Sequence, residues 1–148
     1  MNKQTIKVSY KPSAGYSPVS PLEKISVGDF IDLRAAEAVR MFNGYSKLIS
    51  LGVAIQLPPG YYAMLVPRSS TFKKYGIIMT NSIGIIDESY NGDNDIWRFP
   101  AFALRDTFIP YNERIAQFTI VKKNDFDIEE VDMLNNSDRG GFGSTGSK

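Results

Sequence analysis

Short runs of β-branched and aromatic residues recur along the whole chain, and each is stopped within a few residues by turn-forming ones. TIKVSY, YAMLVP, IIMTNSIGII and RIAQFTIVKK are separated by LPPG, YNGDND and IPYN. Val, Ile, Tyr and Thr fit a pleated, half-buried surface, whereas Pro and an Asn-Gly step interrupt it. Many short strands with such punctuation predict an all-β fold, a β-barrel or jelly-roll-like sandwich. At 148 residues, the chain suits one domain with a real core. No internal repeat is visible.

Two segments depart from the strand pattern. FIDLRAAEAVRMF is built of good helix formers with an Asp near its start, so propensity predicts a short helix. SSTFKKYG predicts a second, with Ser69 or Ser70 as N-cap, Lys73 and Lys74 in the last turn, and Gly76 as the stop. After Lys123, the acidic NDFDIEEVDML alternates Phe126 and Ile128, as a solvated edge strand would. Composition then shifts to glycine, dividing a body over residues 1–136 from a C-terminal arm over residues 137–148. Glycine loses much freedom on ordering, so DRGGFGSTGSK holds a shape only when something else fixes it. It reads as a frayed end or as an arm that closes over a ligand.

Composition removes several chemistries. There is no cysteine and no histidine, which excludes disulfides, thiolate metal sites, imidazole-ligated zinc and the Ser–His and Cys–His nucleophilic systems. An enzyme built from this chain would use a carboxylate base and a hard, oxygen-ligated metal. The net charge of +1 gives no electrostatic footprint for nucleic acid or membrane. No apolar run approaches a bilayer span and the first residues lack a signal-peptide block, so a cytoplasmic location is expected.

Four segments carry candidate functional groups. VPRSSTF sets Arg68, Ser69 and Ser70 before the second predicted helix, either as an ordinary capped helix or as a phosphate site. TNSIGIIDESYNGDND embeds Asp87 at the end of an apolar run, where it either caps a turn or has chemical work. In YNERIAQFTI, Gln117 interrupts an apolar strand and needs hydrogen-bond partners. Asp32, between Ile31 and Leu33, is either a cap or an acid facing a metal's water shell.

Taken in order, IDLRAA, PRSS, NSIGIIDESYNG, ERIAQF and RGGFGSTG resemble the five motifs of the homotrimeric dUTP diphosphatases (dUTPases). The DESYNGDND extension looks like that of the short Bacillus and phage enzymes. The resemblance implies a distorted jelly-roll β-barrel with one short helix and a flexible C-terminal arm. It also implies a trimer whose active sites are shared between subunits, and Mg²⁺-dependent hydrolysis of dUTP to dUMP and pyrophosphate. That reaction limits uracil incorporation into DNA and supplies dUMP for dTTP synthesis. By motif match, Asp87 would activate the attacking water. Asn81, with Gly84 and Ile86, would read uracil, and Tyr90 would pack against deoxyribose. Arg68, Ser69, Ser70 and Gln117 would hold phosphates, and Asp32 would meet Mg²⁺ through water. From the arm, Phe142 would stack on uracil, while Arg139, Gly143, Ser144 and Thr145 would reach the γ-phosphate.

Three features depart from the family pattern. Phe30 and Ile31 stand where a small residue and Gly usually precede the first-motif Asp, which argues against the propensity-based helix there. Ser137 stands at the usual arginine position of the fifth motif, with Arg139 nearer Phe142. GDNDIWRFPAFALRDT is distinctive, and its Trp97 suits core or interface packing. Two rivals remain at this level. A dCTP deaminase of the same fold would need a glutamate where this chain reads IWRFPAFAL. A binding protein without turnover, engaging a repressor-type partner, is the other.

Overall fold

The computed structural model describes residues 3–143, so Ser144 and Thr145 lie outside the described residues. Eleven short strands and one helix of five residues account for its regular structure. β1 (Lys7–Tyr10) pairs antiparallel with β5 (Val53–Gln56). β3 (Val39–Met41) pairs with β10 (Thr107–Ile109). A three-stranded sheet runs β4 (Ser46–Ser50), β9 (Arg98–Ala103), β7 (Ile77–Met79). The largest sheet runs β2 (Ile31–Arg34), β11 (Arg114–Lys122), β6 (Tyr61–Pro67), β8 (Gly84–Ile86). The all-β expectation with one short helix therefore holds, as four antiparallel sheets around one core.

That core follows from alternation. In β9, Phe99, Ala101 and Ala103 point inward and are fully buried, and in β11 Ala116 and Phe118 do the same, with Ile115 also buried where the register shifts between Arg114 and Ala116. Leu33, Ile49, Ile55, Leu65 and Ile77 fill the space between the sheets. Trp97 joins them edge-to-face on Phe118, with ring centroids 4.9 Å apart. Offset and edge-on ring geometries suit the aromatic quadrupole, so this pair anchors the middle of the molecule.

Three local expectations are corrected. FIDLRAAEAVRMF forms no helix but supplies β2 and β3, because burial of Leu33, Val39 and Met41 in paired strands outweighs a weak helical preference. The predicted second helix exists as α1 (Thr71–Tyr75) and stops at Gly76, whose φ of 64° is left-handed. Its start differs from expectation: Ser70 is the N-cap but makes no side-chain capping bond. Thr71 ties that end instead, its Oγ1 accepting from Arg68 N (3.0 Å) and donating to Ile115 O (2.7 Å). The acidic stretch after Lys123 forms no strand; residues 124–134 are exposed and carry no ladder. An edge strand requires a neighbour, and the described chain offers it none.

Candidate active site

The run that leaves β7 for β8 in another sheet builds the first group. Ser82 turns it at a φ of 61°, its N–H donating to Met79 O at 3.2 Å. The Ile83 N–H donates to the Asn81 backbone carbonyl at 2.6 Å, tightening the turn. β8 then lies against β6 with Gly84 opposite Leu65. A Cβ at Gly84 would stand 3.2 Å from Leu65 Cβ, so only glycine lets the two strands close without displacement.

Just past β8 the chain turns on Asp87. Its Oδ2 accepts from the Ser89 N–H at 2.8 Å and from the Ser89 hydroxyl at 2.6 Å, the side-chain-to-backbone pattern with which Asp organises turns. Its Oδ1 faces Lys123 Nζ at 3.3 Å. The two Ser89 bonds, then Lys123, hold the Asp87 carboxyl down at about 2. It is therefore ionised across the neutral range, and with its side chain 57% exposed it stays open to water. Tyr90 follows, its N–H on Asp87 O and its hydroxyl donating to Ile96 O at 3.1 Å. The DND extension is closed by Asp95, which accepts from the Gly92 N–H at 2.8 Å.

Together these elements wall a cleft of about 490 Å³, whose lining includes Asn81, Gly84, Ile86, Asp87 and Tyr90. All the nucleoside-end candidates of the chain body thus meet in one place. Trp97, which packs in the core as its sequence suggested, and Arg98 also line it, beside Leu48, Leu65 and Pro100. Arg105 does not: its side chain lies over Gly76 and donates to Lys73 O at 2.9 Å, closing the end of α1.

The phosphate and metal candidates gather elsewhere. In the largest sheet Gln117 of β11 stands opposite Asp32 of β2 and Val66 of β6. A register shift between Arg114 and Ala116 sets this alignment. Asp32 forms an ion pair with Arg68 Nε at 3.1 Å and accepts from Arg114 at 3.3 Å, and Gln117 Nε2 donates to Pro67 O at 3.2 Å. Ser69 and Ser70 follow Arg68 at the start of α1. None of these residues lines the cleft. In the arm, Arg139 donates to Gly140 O, Phe142 is fully exposed, and neither these nor Gly143 approaches the cleft lining. Lys123, Ser89 and Arg114 escaped the sequence reading; only the KK pair ending the last strand hints at the first of them.

The dUTPase family model matches residues 28–146, most of the chain. The chain belongs to the dUTPase family. It is 59% identical over 128 residues to the SPbeta prophage-derived deoxyuridine 5'-triphosphate nucleotidohydrolase YosS of Bacillus subtilis (strain 168), covering 86% of this chain and 90% of that one. Among solved structures, the fold is similar to that of the Staphylococcus bacteriophage 80alpha dUTPase solved with dUpNHpp. There the TM-score is 0.73 at 23% identity, over 97% of this chain and 99% of that one. It is also similar to a dUTPase of S. aureus phage phi11 that coordinates a structural Mg(II) ion. That match has a TM-score of 0.69 at 19% identity, over 88% and 98% of the two chains. This chain thus presents a cleft of about 490 Å³ and, apart from it, an Arg–Asp–Gln cluster.

Proposed function

We propose that this chain is a dUTP diphosphatase, releasing dUMP and pyrophosphate through attack of water on the α-phosphorus, with Asp87 taking the water's proton. The observation that carries this reading is the convergence of Asn81, Gly84, Ile86, Asp87 and Tyr90 on one cleft. An ionised, water-accessible carboxylate is the base that a chain without histidine has to offer. Asn81 and the main chain of Gly84 and Ile86 present an amide edge and peptide groups to uracil, while Tyr90, tethered at Ile96, offers a ring face to deoxyribose. The cleft lining contains no glutamate, which weighs against the deaminase rival.

The separation of the cleft from Asp32, Arg68 and Gln117 supports a site completed between subunits of a homotrimer. So do the exposed apolar residues Leu48, Phe42 and Phe108 and, beyond β11, Phe126, Ile128 and Leu134. In this reading, Arg68, Ser69, Ser70 and Gln117 of one subunit hold the phosphates of a nucleotide seated in another's cleft. The arm, residues 137–148, then closes with Phe142 over the base and Arg139 and Gly143 on the phosphates. No group of three acidic ligands exists among the described residues. Asp32, the single acid of this cluster and paired with Arg68 and Arg114, would meet a Mg²⁺ ion that arrives on the phosphates through its water shell. The ion would neutralise charge developing on the phosphates.

Pyrophosphate release with Mg²⁺ from dUTP, dTTP, dCTP and UTP tests the reading, with dUTP alone expected to react. Asp87→Asn should keep dUTP binding and lower kcat by about 10²–10⁴. Ammonia release from dCTP would turn the assignment to deamination, and nucleotide binding with no turnover would turn it to a binding protein.

A further inference from the structure

A cation outside the five resembling motifs touches Asp87. Lys123 follows β11 directly, with Nζ 3.3 Å from Asp87 Oδ1 and 2.8 Å from Glu88 Oε1. Its own N–H donates to Gly60 O at 2.8 Å, and the Gly60 N–H donates in turn to the Glu88 carboxylate at 3.2 Å. Main chain and ammonium are thus both fastened, one to the PPG turn before β6 and the other to Glu88. The free ends of a lysine's four-carbon stem are usually mobile; here both are pinned. Ser89 occupies the opposite oxygen of Asp87.

We propose that Lys123 is a positioning residue for hydrolysis: braced by Glu88 and Gly60, it fixes the orientation of the Asp87 carboxylate and offsets its repulsion from the incoming polyphosphate. This rests on Asp87 being the base, as proposed above. The electrostatic need is direct. An exposed carboxylate beside the α-phosphate must approach a polyanion, and like charges at contact distance oppose both binding and ionisation. An ammonium at 3.3 Å offsets part of that charge; it also lowers the carboxylate's basicity, so what it gives the reaction is orientation and an eased approach. Glu88 serves in the opposite sense, and its bond to Lys123 holds the ammonium charged, pushing the lysine's pKa up. Lys123 and Glu88 are the charged groups facing Asp87 among the described residues.

The test compares Lys123→Met, Lys123→Arg, Asp87→Asn and the exposed neighbour Lys122→Met in steady-state dUTP hydrolysis. It adds carboxyl ¹³C titration of the nucleotide-free protein. Lys123→Met should lower kcat ~10-fold, as a misoriented base does, and raise KM for dUTP, as an uncompensated carboxylate beside a polyanion does. Its Asp87 carboxyl should titrate above about 2, toward the ordinary 3.8. Lys123→Arg should recover most of the rate, and Lys122→Met should behave as wild type. Wild-type kcat and an unmoved Asp87 titration in Lys123→Met, with Asp87→Asn inactive, would overturn this inference alone. An active Asp87→Asn would overturn the reading of the base itself. Should Lys123→Met lose its native circular dichroism, Lys123→Gln carries the same comparison.

Discussion

Gly84 shows how much of the cleft depends on single residues. Its φ is ordinary, so its value lies in the missing side chain: a methyl here would stand 3.2 Å from Leu65 Cβ, so Leu65 or the strand has to give by a few tenths of an ångström. Gly84→Ala should force β8 away from β6, at a cost of roughly 1–3 kcal/mol for overpacking. Thermal denaturation would read this as a lower Tm, and an unchanged Tm would show that Leu65 yields freely. The neighbouring Asp87 makes a different point. Its two oxygens are held from two directions, Ser89 two residues away in sequence and Lys123 far along the chain. Local sequence specifies the first of these holds and cannot specify the second.

At the scale of elements, α1 is too short to be stable alone and depends on what its side chains reach. Tyr75, nearly buried, donates its hydroxyl to the Glu113 carboxylate, which also takes Lys74 at 3.4 Å. Burial first, and then Glu113, push the Tyr75 phenol up to about 12. The folded chain therefore holds that proton more tightly than the unfolded one. The resulting stability is complete below pH ~10, the unfolded tyrosine range, and is lost as pH rises to about 12. Tyr75→Phe should cost about 1 kcal/mol at pH 7 through the lost hydrogen bond. It should also remove this part of the alkaline decline, which urea denaturation midpoints at pH 7, 10 and 11 would report. A variant declining as steeply as wild type over that range would place the alkaline sensitivity elsewhere.

For the whole molecule, the separation of two candidate clusters is the organising fact. The cleft proposed for the nucleoside lies beside β6–β8 and β9, while Asp32, Arg68, Arg114 and Gln117 lie along β2, β11 and the end of β6. If subunits complete one another, light scattering should report about three times the 16.5 kDa chain. Removing the residues after Ser137 should leave that assembly intact while kcat/KM falls by about two orders of magnitude, the scale of losing positioned donors around a reacting phosphate. Full activity in the truncated protein would remove the arm from the mechanism.

The sequence by itself determined the all-β class, the short helix after Arg68 and the family, because alternation, turn residues and linear motifs are local signals. Asn81, Gly84, Ile86, Asp87 and Tyr90 fall within ten residues, so their meeting in one cleft was legible from a single turn and strand. The stretch around Asp32 misled, since helix propensity is weak beside the burial that β2 and β3 gain from distant strands. The ion pairs of Asp32 with Arg68 and Arg114, and of Asp87 with Lys123, join residues that are neighbours only across the sheet or at its end. Tertiary structure alone decided these pairings, because strand register sets which charges face each other and no local pattern encodes register between strands so far apart in the chain.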